Sequence, residues 1–126
     1  MDVRNFYRVL SAKTWGDAHR CGVIEPCGAD RRAGLIHLST RDLVERMAAR
    51  HFRASEFPVA VELDADYFRD DLEWCEPTTE SPWRYPMLRR PHIEMNWVIG
   101  VHLLLFAERD GEPRCTMKEG RLDWAL

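Results

Sequence analysis

Lysine is almost missing from this sequence: of 18 basic residues, 16 are arginine and only Lys13 and Lys118 are lysine. The skew reflects either codon usage or a demand for planar, bidentate anion recognition, which a guanidinium supplies and an ammonium does not. An excess of positive charge is missing too. Twenty-one acidic residues outweigh the basic ones and leave a net charge of −3, which excludes DNA as a partner and argues against an RNA coat. The local clusters Arg31-Arg32, Arg50 with Arg53, and Arg89-Arg90 are read as solvated faces. No apolar run approaches the roughly 20 residues of a membrane span, and the longest, Trp97 to Ala107, is interrupted by His102. The opening Met1-Asp2-Val3-Arg4-Asn5 lacks a secretory pattern, so the expected compartment is the cytoplasm. Cys21, Cys27, Cys75 and Cys115 form no C-x-x-C pair, which excludes a zinc ribbon or thioredoxin motif. They are expected as free thiols, several of them buried. G-x-S-x-G is absent, as is a phosphate-cradling glycine loop of Rossmann or Walker type. No spacing recommends a metal site.

What is present reads as one soluble globular domain over residues 1–126, since 45% of the 126 residues are apolar and 31% charged. Phe6 to Leu10 is rich in strand formers. Ser11 is placed to cap a helix running to Cys21, which Gly22 ends. The glycines at 28 and 34, with Asp30-Arg31-Arg32 between them, read as loop. Gly34 to Ser39 reads as a second strand, and Ser39 or Thr40 as the cap of a helix carrying Leu43, Val44, Met47, Ala48, His51 and Phe52 on its apolar stripe. Phe57 to Asp64 alternates with a period of two. Asp64 to Arg69 reads as a capped turn and Leu72 to Glu76 as a short strand. Pro77 to Pro91 holds four prolines and is expected to be irregular, an ordered aromatic loop bearing Trp83, Tyr85 and Met87. Trp97 to Phe106 is expected as a strand buried on both faces, with Gly100 marking either a bulge or a close approach by other backbone or a ligand. Asp110-Gly111 then turns the chain into a C-terminal arm. Strands outnumber helices without strict alternation, which is an α+β layout built on a mixed or antiparallel sheet with two main helices.

The segment Gly34-Leu35-Ile36-His37-Leu38-Ser39-Thr40 is the most informative for chemistry. On a strand His37 and Ser39 share a face, so imidazole and hydroxyl stand side by side next to a helix start, an arrangement suited to an anionic or carbonyl ligand. The same pattern also fits a core histidine followed by an ordinary cap. Glu76 follows Trp74, and a carboxylate against apolar surface has a raised pKa suited to acid/base work; a solvent-exposed strand-end glutamate is the simpler reading. His51 is read as structural, His102 as a core group, and His92 as accessible.

Phe6-Tyr7-Arg8-Val9, Trp15 in the first helix, Gly34 to Thr40 and then His51-Phe52 together resemble the bacterial domain of unknown function 952 family. That family has an "I-Y-K-I"-like strand, a tryptophan-bearing helix and an "F-I-H-L-S-T" strand in this order. The resemblance spans residues 5–107, leaving 108–126 as a C-terminal extension. It implies an ADP-ribosyltransferase-like fold, with a strand similar to one in the NAD-consuming RNA 2′-phosphotransferases. Where the family reads "F-P-H-L-Y-G", this chain has Tyr85-Pro86-Met87-Leu88-Arg89-Arg90, so a thioether replaces an imidazole and Arg89 a tyrosine.

The resemblance therefore implies a cleft for an NAD or ADP-ribose-type ligand. His37 and Glu76 would be its catalytic groups, and Tyr7, Arg8, Ser39, Thr40, Tyr85 and Arg89 its ligand contacts, with Arg8 and Arg89 pairing phosphate charge. The alternative is a non-catalytic module whose aromatic 77–91 loop takes a peptide, protein or RNA end. The C-terminal arm, with Cys115, Met117, Leu122 and Trp124, offers an edge for self-association, so a monomer or a homodimer is expected.

Overall fold

A computed structural model describes residues 4–79 and 82–118. Its main sheet is antiparallel, with β1 (Asn5–Leu10), β4 (Val59–Asp64), β8 (Val98–Arg109) and β9 (Glu112–Lys118) side by side in the order β1-β4-β8-β9. A smaller sheet runs β3 (Ile36–His37), β6 (Tyr85–Leu88), β5 (Leu72–Cys75), and β2 (Val23–Ile24) pairs with β7 (Ile93–Glu94). Among the described residues the three α-helices are α1 (Ala12–Cys21), α2 (Gly28–Ala33) and α3 (Val44–His51). The chain is thus a small α+β domain with antiparallel sheets and few helices.

Local chemistry explains most boundaries. The Ser11 side chain accepts the Thr14 N–H and starts α1, and Gly22 ends it at φ 83°, a left-handed conformation that glycine adopts without penalty. Along β4, Val59, Val61 and Leu63 join the first core with Phe6, Leu10 and Phe68, while Ala60 turns to the opposite face. That opposite face packs Tyr7, Ala60, Leu104 and Met117 against Val44 and Ala48 of α3. The main sheet is therefore the middle layer between two apolar clusters.

Register breaks between Glu62 and Leu63, which pair with Gly100 and Val98, so of the two readings of Gly100 the bulge is present. Burial on both faces holds for the first half of β8, whereas Leu103 and Leu105 are exposed and Leu104 is buried. Asp110 at φ 54° and Gly111 at φ 79° form the tight turn into β9, the double left-handed geometry that hairpins favour. Leu122 and Trp124 lie outside the described residues.

Three expectations need correction. The 28–34 stretch is not loop: α2 occupies it, closed by Gly34 at φ 74°. The proline-rich 77–91 segment is not wholly irregular, because β6 runs through it as the middle strand of the small sheet. Pro86 fits there because its carbonyl accepts the Leu38 N–H at 3.0 Å, a role that needs no proline N–H. Met87 is consequently buried rather than displayed on a loop. Last, no described cysteine is buried: Cys21 and Cys27 are exposed and Cys75 and Cys115 half-buried.

Candidate functional site

The two larger sheets meet at a seam. Tyr7 N–H donates to Ser39 C=O and Ser39 N–H to Tyr7 C=O, each at 2.8 Å. Beside that seam a cleft of about 770 Å³ opens between β1, β3, the start of α2 and the end of α3, a size that suits a small-molecule ligand.

Asp30 organises its floor. The side chain is fully buried on α2, and its carboxylate accepts from Arg8 Nη2 at 2.6 Å and Nη1 at 3.3 Å. It also accepts the Cys27 N–H at 2.9 Å, the His37 N–H at 3.0 Å and His37 Nδ1 at 2.6 Å. Burial alone would raise its pKa, but the hydrogen bonds from His37 and Arg8 and the arginine's charge overcome that and hold it well below the usual carboxylate range. An ionised carboxylate only accepts, so His37 carries a proton on Nδ1, and Nε2 is the ring nitrogen that this contact leaves over. The His37 ring, a third exposed, stacks on Tyr85 with centroids 5.9 Å apart. The Tyr85 hydroxyl is pushed up to about 12 by its hydrogen bond with Cys75 and by burial, so it acts as a neutral hydrogen-bonding group.

His37, Ser39, Tyr7, Arg8 and Tyr85 all line this cleft. Arg8, however, is directed inward: besides Asp30 it donates to the His37 carbonyl at 2.6 Å, and its Nε is buried with no partner among the described residues. It supports the site rather than offering a free charge. Thr40 is turned to Asp42 at 2.5 Å and does not line the cleft.

Glu76 and Arg89 also stand outside the cleft. Glu76 is exposed and held by Arg84 at 3.1 Å, so its carboxylate is solvated and not set against an apolar wall. Arg89 is exposed and pairs with Glu73. His51, read as structural, instead faces the cleft together with Arg50. The aromatic segment is engaged internally: Arg46 and Arg50 lie 5.1 and 5.5 Å from the Trp83 ring centroid. Asp30 escaped the sequence reading because its partners lie 22 and 7 residues away. The single sequence signal was a carboxylate three residues after Cys27 at a helix start.

The sequence pattern described as "Protein of unknown function (DUF952)" matches residues 9–101. The chain belongs to this family. The match ends within β8, so most of that strand and all of β9 lie beyond the DUF952 pattern. Among solved structures, the X-ray structure of protein CC0527 from Caulobacter crescentus is similar at TM-score 0.70 and 29% identity, covering 86% of this chain and 92% of that one. The solution NMR structure of CC0527 gives a TM-score of 0.67 at 29% identity over 86% and 90% of the two chains. No curated protein matches the chain. No helix among the described residues is long and apolar enough to cross a membrane.

Proposed function

We propose that this DUF952 domain binds an NAD or ADP-ribose-type ligand in the cleft at the sheet seam, in the manner of ADP-ribosyltransferase-like domains, with His37 as its acid/base group. The observation that carries this reading is the Asp30–His37 pair. A buried carboxylate fixes the tautomer and orientation of an imidazole that lines a ligand-sized cleft, the same division of labour that activates histidine as a general base. In a transfer from NAD, Nε2 takes the proton of an attacking hydroxyl or water as its oxygen bonds to the ribose C1′, the C1′–nicotinamide bond breaks with neutral nicotinamide leaving, and Asp30 stabilises the imidazolium that results. Tyr85, stacked on His37, and Ser39 on the seam supply polar edges for a ribose.

The reading of the aromatic loop as a docking surface for a peptide, protein or RNA has less to stand on. Trp83 is clasped by two arginines, Tyr85 stacks on His37, and Met87 is buried.

Calorimetric titration with NAD and ADP-ribose tests the proposal. The wild-type chain is expected to bind at least one of them, and His37→Ala to remain folded while losing roughly tenfold or more in affinity. No heat at about millimolar ligand overturns it.

A further inference from the structure

Both arginines that line the cleft are engaged within the protein: Arg8 pairs with Asp30, and Arg50 lies against the Trp83 ring. Two of the three carboxylates on its walls are engaged as well. Asp30 is buried under Arg8 and His37, and Glu56 accepts the Arg53 N–H at 2.9 Å. The third, Glu25, is exposed and makes no hydrogen bond or ion pair among the described residues. We propose that Glu25 is the specificity residue of the cleft: it accepts the 2′ and 3′ hydroxyls of the adenosine ribose and rejects a ligand phosphorylated there. This rests on the ligand class proposed above and names the feature of that ligand the protein discriminates.

The backbone around Glu25 is anchored on both sides. Ile24 before it is buried and pairs with Ile93 across the β2–β7 ladder. Two residues on, the Cys27 N–H donates to the Asp30 carboxylate at 2.9 Å, and Pro26 between them holds the preceding residue out of the helical region. A carboxylate on so short and pinned a link is set before a ligand arrives, which is what selective recognition requires. An ionised carboxylate only accepts, so it matches groups that donate. A vicinal diol offers two such donors, and an acidic side chain is the usual partner of an unphosphorylated ribose. A 2′-phosphate removes one donor and brings about two negative charges near neutral pH. With Arg8 and Arg50 engaged elsewhere, that charge would meet Glu25 with no free guanidinium from either residue to offset it. His37, Ser39 and Tyr85 serve the reacting ribose in the reading above, which leaves the second ribose of the ligand to Glu25 on the β2–α2 link.

The test is calorimetric titration of two matched pairs, NAD with NADP and ADP-ribose with ADP-ribose 2′-phosphate. They are titrated into the wild-type chain, Glu25→Gln, and Glu108→Gln as an equal change of charge at an exposed position outside the cleft. The wild-type chain is expected to prefer the unphosphorylated member of a pair by roughly tenfold or more. In Glu25→Gln that preference is expected to shrink to less than about threefold, because the unphosphorylated ligand loses affinity while the phosphorylated one gains. Glu108→Gln is expected to keep the wild-type preference. Nicotinamide mononucleotide has no adenosine ribose, so its affinity is expected to be the same in Glu25→Gln and wild type. A loss for the mononucleotide as large as for NAD overturns the assignment to the second ribose. Equal wild-type affinity within each pair, or a preference that Glu25→Gln leaves intact, overturns the role of Glu25 while the nucleotide reading stands. No heat from any of these ligands at about millimolar concentration overturns both.

Discussion

At the scale of single residues, Asp30 carries the most consequence. Its carboxylate is fully buried beside a guanidinium that is itself only 10% exposed, so removing one charge strands the other. Asp30→Asn is expected to cost about 3–5 kcal/mol, measured by urea unfolding, because Arg8 is left uncompensated. The pH dependence follows from the direction of the shift. The folded-state pKa lies below the unfolded value, so the stabilisation is complete above about pH 4 and is lost as pH falls through the folded-state value. Urea midpoints of the wild-type chain are expected to fall across that acidic window; an Asp30→Asn chain with an equally steep fall contradicts the assignment. The arginine excess also resolves residue by residue. Arg46 and Arg50 cover Trp83, Arg84 lies 4.6 Å from the Trp74 centroid, and Arg90 lies 5.3 Å from that of Trp97. Flat, weakly hydrated guanidinium groups stack on indole in a way lysine does not match.

Among the elements, α3 and β9 depend on each other. Met117 packs against Val44, Ala48 and Leu104, and its N–H donates to the Glu45 carboxylate at 2.7 Å. Met117→Ala is expected to cost about 2–5 kcal/mol, read as a lowered denaturation midpoint. The C-terminal arm is thus a structural strand along residues 112–118, where the sequence pattern alone showed an apolar edge. Elements whose signals are local were legible in the chain: the Ser11 cap, the Gly22 stop, the alternation of β4 and the Asp110-Gly111 turn each need only neighbouring residues. Two elements were not. With six residues, opening on Gly28 and closed by Gly34, α2 is too short to show a helical period. For β6, the surrounding prolines signal a break, and only the long-range pairing with β3 and β5 makes it a strand. The site divides along the same line. His37 and Ser39 are visible because two-residue spacing puts them on one face, whereas Asp30, Arg50 and His51 join them through tertiary packing that no spacing encodes.

For the whole molecule, the cleft owes its place to the way two sheets are joined, and the joint consists of few bonds. Tyr7 and Ser39 exchange their two amide bonds, and Arg8 reaches across to the His37 carbonyl. The β1–β4 and β4–β8 ladders beside them are long and continuous, apart from the bulge. Local opening concentrates where backbone bonds are few. The Tyr7 and Ser39 amides are therefore expected to trade hydrogen for deuterium faster than the Val61 amide in the middle of the main sheet. A molecule seated in the cleft touches both walls, so it should slow the seam amides while leaving Val61 nearly unchanged. Equal protection at all three sites with and without ligand would mean that the walls do not part. If the seam amides exchange first, the Tyr7–Ser39 bridge is the hinge of the cleft, and two backbone protons report how often it opens.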